Sequence, residues 1–322
     1  MCYHEIDKKF YNNYRILHLF NCTLRDIIWR LSDVEKAGFN VIQISPLQTN
    51  RNFLSSNWKD LYQPLGFEIG NQLGTKDELR ELCEKAEALG IIIVADVVIN
   101  HVANNDVEFL KPHPNVDEEL IKNYSECFKP QKWIDNWNDR YQVTHWCFGL
   151  PGLNPNSKIV QRKVINMLNE YISLGVRGFR FDAAKSIALP QDYDGSNFFP
   201  NVISSLSMQL PIIYGEVLSA TPELIRDYSK YMMVLTDADY FERPDIVVRA
   251  CETHDSFLSD DVGYSRDWSI DYIIQCYTWL ASIYPCTIFY ARNYSPDWNI
   301  WHKKDDERIK NANAQLVLKK VA

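Results

Sequence analysis

The chain alternates between short runs of apolar and β-branched residues and longer stretches whose apolar positions recur every three or four residues. A run of four to eight such residues predicts a strand, and a period near 3.6 over ten or more predicts a helix. Residues 15–20 (RILHLF) read as a strand and 24–38 as the helix that follows, closed by Gly38. Residues 40–45 form a second strand. Residues 76–89 form a helix with Thr75 as N-cap and Gly90 behind it. Residues 91–98 are almost continuously apolar, as in a strand covered on both faces. Residues 158–174 read as a helix and 176–181 as a strand. The runs at 212–217, 232–235, 246–251 and 286–290 complete eight strands, and a last helix is expected near 305–321.

Strands alternating with helices imply a parallel sheet. Eight such units predict an α/β fold of the closed (β/α)8 barrel type rather than a doubly wound sheet, because no glycine-rich phosphate loop follows any strand. Ten residues separate Leu235 from Ile246, Pro244 among them, which is too short for an ordinary crossover helix. The sixth crossover is therefore expected to be reduced. Polar and aromatic residues from 102 onward, with Pro112, Pro114 and Pro130, fit no strand–helix cycle. They predict a loop subdomain over 102–152, interrupting one barrel that spans 1–322, on the face where barrel active sites lie.

The 322 residues carry 34 Lys and Arg against 42 Asp and Glu, a net charge of −8. That balance argues against nucleic-acid or anionic-membrane partners, which need a basic patch. No run of residues 1–14 resembles a secretory signal, and the most apolar stretch is broken by Asp96, so no membrane span is expected. Eight cysteines without metal-site spacing then read as reduced thiols, and the expected location is cytoplasmic, or extracellular if a signal was removed. Aromatic residues make up 13%, enough to furnish a core and also a cleft that stacks flat apolar rings or sugar faces.

Candidate chemistry gathers where the strands end: Asp96, Asn100 and His101 at the third, Arg180 and Asp182 at the fourth, Glu216 at the fifth, and Glu252, His254 and Asp255 at the seventh. A closed barrel brings these ends to one face. A single acid at a strand end could cap the next helix; four such ends, with an arginine and two histidines, point to a site. Arg180 and Asp182 are two apart on one strand and face the same side. An arginine there holds the aspartate ionised and aimed, as a nucleophile requires. Glu216, on the next strand, supplies a second carboxyl. Two carboxyls about 5–5.5 Å apart make a retaining glycosidase.

These same segments resemble the alpha-amylase family of glycoside hydrolases. DVVINH (96–101), GFRFDAAK (178–185), GEV (215–217) and ETHD (252–255) resemble its four signatures in order, and LPGLNPN (150–156) resembles a fifth region. The resemblance implies Asp182 as nucleophile, Glu216 as acid/base and Asp255 as transition-state carboxylate. It implies substrate binding by Arg180, His101, His254 and Lys185, and by Tyr62 and Trp58 in WKDLYQP (58–64). The implied substrate is an α-1,4-glucan such as starch, glycogen or maltodextrin, cut internally. A transglycosylase or exo-α-glucosidase of the same family and an inactive glucan-binding protein are the alternatives. Family members usually carry a β-sandwich domain after the barrel, whereas this chain stops at Ala322, so a minimal member is expected. Gly152 stands where many members have a calcium-ligating Asp, and Ser186 where a His carbonyl often completes that site. Asn100 remains a candidate metal ligand. Calcium is left open, weakened by Gly152; chloride is not expected, because Tyr290 and Thr253 stand near the places of its usual ligands.

Overall fold

A computed structural model describes residues 13–52, 57–258, 265–292 and 306–314. Among these residues ten strands occur in chain order: β1 (Tyr14–Leu19), β2 (Val41–Ile44), β3 (Gln48–Asn50), β4 (Pro64–Ile69), β5 (Ile92–Val97), β6 (Gly178–Phe181), β7 (Ile212–Glu216), β8 (Met233–Leu235), β9 (Val247–Ala250) and β10 (Cys286–Tyr290). The helices are α1 (Leu24–Lys36), α2 (Lys76–Ala88), α3 (Glu118–Lys122), α4 (Tyr124–Cys127), α5 (Arg140–His145), α6 (Lys158–Ser173), α7 (Phe198–Ser204), α8 (Pro222–Tyr228), α9 (His254–Leu258), α10 (Ile270–Ile283) and α11 (Asp306–Asn313). Eight parallel strands close in the order β1-β10-β9-β8-β7-β6-β5-β2, and β2 pairs back onto β1; β3 and β4 form a separate antiparallel pair.

The helix starts follow local chemistry. Thr75 and Glu78 form a reciprocal capping box at α2, and Ser157 accepts from the Val160 N–H at α6. After α1, Gly38 takes the left-handed φ of 81° that turns the chain toward β2. The final helix, expected over 305–321, is described as α11; its later part lies outside the described residues.

Strand alternation sorts the core into two layers. Ile16, Val41, Val94, Ile212, Val248, Cys286 and Ile288 fill the barrel interior. Leu17, Leu19, Ile42, Ile44, Ile93, Val97, Phe179 and Phe181 belong to the outer layer that meets the helices. Two residues along β1, β2, β5 and β7, the positions after Ile16, Val41, Val94 and Ile212 are His18, Gln43, Asp96 and Tyr214. Arg180 follows Gly178 in the same way on β6. The register sets Asp96 against Arg180 and His18 against Gln43. The barrel interior thus turns polar toward the strands' C-terminal ends. Tyr214 donates to Gln43 Oε1 at 2.8 Å, and the Gln43 amide contacts His18 Nε2 at 3.2 Å.

As expected, the sixth crossover is cut down. Residues 236–246 hold one 3-10 turn (Pro244–Ile246) and no α-helix. In place of a helix, the Tyr240 N–H donates to Tyr284 Oη at 3.2 Å and Phe241 lies against the Tyr284 ring. Between β5 and α6 a long excursion carries α3, α4 and α5. Lys163 on α6 pairs with Asp117 at 2.7 Å, and Arg140 pairs with Asp192 at 2.7 Å, so both ends of the excursion are fastened to the barrel. Among the described residues the cysteines are free, and no helix is long and apolar enough to cross a membrane.

Candidate active site

Arg180 is the hub. Buried at the end of β6, it donates from Nη1 to Asp96 Oδ1 (2.9 Å) and Oδ2 (3.0 Å) and to Asp182 Oδ1 (2.7 Å), and from Nη2 to Glu216 Oε1. Three carboxylates from three adjacent strands therefore share one guanidinium, whose planar fork suits several acceptors at once. Asp182 follows β6 directly, with its N–H on the Val97 carbonyl (3.0 Å). The next residue, Ala183, sits at a left-handed φ of 46°, an uncommon conformation outside glycine. That turn aims its N–H at Glu216 Oε2 (3.1 Å).

The electrostatics follow from burial. One positive charge cannot neutralise three negative ones, and Arg180 and Asp96 are fully buried. Desolvation pushes Glu216 up to about 7, reinforced by the charges of Asp182 and Asp255; the charge of Arg180 and the hydrogen bond from the Ala183 N–H oppose it. Desolvation also raises Asp182 and Asp255 above their ordinary values, with Arg180 pulling both back. Asp96, fully enclosed, is likewise raised by burial.

An aromatic wall stands beside the carboxylates. Tyr62 donates to Asp96 Oδ2 at 2.8 Å, and its ring lies face to face with His254, centroids 5.2 Å apart. Phe20 stacks on the same histidine at 4.4 Å, and Trp58 meets it edge-on at 5.4 Å. His101 Nε2 contacts the Tyr62 carbonyl at 2.9 Å. A carbonyl only accepts, so that nitrogen carries the proton and Nδ1, which has no hydrogen-bond partner, is an acceptor. Burial lowers His101 to about 4 and His254 well below its ordinary value, so both rings are neutral at pH 7.

Together these groups border a cleft of about 390 Å³. Its lining includes Trp58, Tyr62, His101, Asp182, Glu216, His254 and Asp255, all singled out from the sequence. Arg180 lies beneath it. Lys185 is not in that lining: its amine donates to the carbonyls of Leu218 (2.9 Å) and Ser219 (3.4 Å). Glu252 is not part of the cluster either, because Arg292 holds it at 2.7–2.9 Å from another strand end.

Asn100, a candidate metal ligand from the sequence, is engaged otherwise. Its Oδ1 accepts from Lys129 Nζ at 2.9 Å, and the same amine donates to the Ser186 carbonyl at 2.7 Å. Lys129 is buried, which lowers it to about 7. The sequence reading did not single out Lys129, nor Phe148 and Lys59 on the cleft lining, and it gave Asp96 no role. For Asp96 a signal existed: a charge inside an otherwise apolar strand.

The family model for the alpha-amylase catalytic domain matches residues 21–240. An alpha-amylase of Clostridium acetobutylicum is 38% identical over 239 residues, covering 69% of this chain and 30% of that protein. An alpha-amylase of Butyrivibrio fibrisolvens is 28% identical over an alignment of 331 residues, covering 91% of this chain and 32% of that protein. The chain spans about a third of the length of these curated relatives. The solved alpha-amylase of Geobacillus thermoleovorans, complexed with acarbose, has a TM-score of 0.70 at 20% identity, over 95% of this chain and 78% of that one; this is a likeness of fold.

Proposed function

The chain belongs to the alpha-amylase family of glycoside hydrolases, and on that premise we propose that it is a retaining hydrolase that cuts internal α-1,4-glucosidic bonds of starch, glycogen or maltodextrins. The observation that carries this reading is the spanning of Asp182 and Glu216 by Arg180 at the floor of one cleft, with Asp255 on its wall. A retaining mechanism needs two carboxyls close together, about 5–5.5 Å apart, one to attack and one to protonate. Asp182, held by Arg180, attacks the anomeric carbon. Glu216, whose raised pKa keeps a proton at neutral pH, protonates the glycosidic oxygen. The bond from that oxygen to the anomeric carbon breaks as the Asp182 ester forms. Glu216, now ionised, takes a proton from water, and the hydroxide character so generated releases the sugar and regenerates Asp182. Asp255 faces the positive charge that develops on the ring. Tyr62 and Trp58 offer apolar faces for the sugar, and His101 and His254 border the same cleft. Lys185, bound to the carbonyls of Leu218 and Ser219 beyond β7, takes no direct part in this scheme.

Reducing-end release from soluble starch and from a maltoheptaoside blocked at its non-reducing end tests this directly. The expected result is cleavage of both, lost by about a thousand-fold or more in Asp182→Asn. Products longer than the substrate would assign a transglycosylase, and glucose alone from unblocked substrate would assign exo action. Glucan binding without release by the folded protein would replace the hydrolase with a binding protein.

A further inference from the structure

Three segments meet at one amine beside the cleft. Asn100 leaves β5, Ser186 follows β6, and Lys129 belongs to the excursion between them. Lys129 Nζ reaches the side-chain oxygen of the first and the carbonyl of the second, while its backbone N–H donates to Gly152 O at 2.8 Å. Asn100, Ser186 and Gly152 are the positions at which the family resemblance implies oxygen donors for calcium.

The residues present do not fit that ion. Calcium takes six to eight oxygens. Two of the candidate oxygens already accept from an amine, and the third position has no side chain. Among the described residues, no group of three or more His, Cys, Asp or Glu is placed to hold a metal. A carboxylate could not simply return at position 152. A Cβ there would stand 2.7 Å from Lys129 Cδ and 3.3 Å from its Cγ, so something would have to move. The lysine stem fills the volume that a side chain at 152 would need. Glycine at 152 and lysine at 129 are thus one packing arrangement: the first makes room and the second occupies it.

We propose that Lys129 replaces the metal of this fold, its amine tying the excursion to the ends of β5 and β6, and that the protein neither binds nor needs calcium. The tether acts one residue from His101 and four from Asp182, so it holds the cleft's two walls in relation to each other without touching the sugar.

Thermal unfolding and isothermal titration with calcium chloride test the proposal, and neither readout depends on the hydrolysis proposed above. An ion bound at about a hundred times its Kd would raise the unfolding midpoint by several degrees. The expected wild-type result is no heat of binding and one midpoint in calcium chloride and in EGTA. Lys129→Met keeps the stem and removes the donors, so its midpoint should fall and calcium should not restore it. Lys129→Ala combined with Gly152→Asp opens the volume and supplies a carboxylate; its midpoint should rise with calcium and fall with EGTA. A wild-type midpoint that drops in EGTA would overturn the proposal whether or not the variants fold. So would a Lys129→Met protein as stable as wild type, or a folded double variant indifferent to calcium.

Discussion

Arg180 has one positive charge to set against Asp96, Asp182 and Glu216. Removing water from such a cluster favours keeping a proton on one member. Glu216, raised to about 7, opens to the cleft, where that proton can be delivered. The sign of the pH dependence follows: the donating form is full below this value and is lost as pH rises through it. We expect kcat/KM to fall with a midpoint near 7, since this parameter reports the free enzyme. With an aryl maltoside whose leaving group needs little protonation, Glu216→Gln should remove that falling limb. A limb that persists in the variant would assign it to another group. At this scale the sequence showed His101, Asp182, Glu216, His254 and Asp255 well, because each follows or ends a strand inside a recognisable segment, and Trp58 and Tyr62 through a segment of their own. It did not show Lys129. A lysine between Phe128 and Pro130 carries no periodic signal, and its meaning depends on a glycine 23 residues later that leaves its stem a place.

The barrel strands are brought close by small residues at defined points. A Cβ on Gly178 would lie 2.6 Å from Ile212 Cγ2, 2.7 Å from the Ile212 carbonyl and 2.8 Å from Val94 Cγ2. Those neighbours belong to β7 and β5 on either side, and one of the contacts is backbone, which cannot swing away. Gly178→Ala should therefore lower stability by about 1–3 kcal/mol. In urea titration the midpoint should fall with an unchanged slope; an unaltered midpoint would show that the strands can part at no cost. Most elements were legible where a period had room to repeat, although the 14-residue α10 was not read. All eight barrel strands and α1, α2 and α6 could be placed from the pattern alone. Helices α3, α4 and α5 have five, four and six residues, too few to display a helical period, and they were read as loop. The pair β3–β4 escaped for another reason. It is a three-residue strand against a six-residue one, set by pairing across an intervening loop rather than by alternation within either.

For the whole molecule, the reduced sixth crossover makes one seam unlike the rest. Strands β8 and β9 share two register pairs, Val234 with Val247 and Leu235 with Val248, whereas the other neighbours in the barrel share three to five. The connection between β8 and β9 has no α-helix, only a loop with one 3-10 turn whose Tyr240 and Phe241 lie against Tyr284. A ring held by parallel hydrogen bonds opens first where fewest must break together, so local unfolding should begin here, at a smaller free energy than global unfolding. In native-state deuterium exchange, the bonded amides of residues 233–235 and 247–250 should become labelled before those of β1, β2 and β5. Equal protection around the ring would mean that the loop crossover holds this seam as firmly as a helix would. If the seam does exchange first, the molecule breathes as an arc of six strands with a gate of two, and the arc retains Asp96, Arg180, Asp182 and Glu216, so the charged cluster can stay assembled while the wall beside it opens and closes.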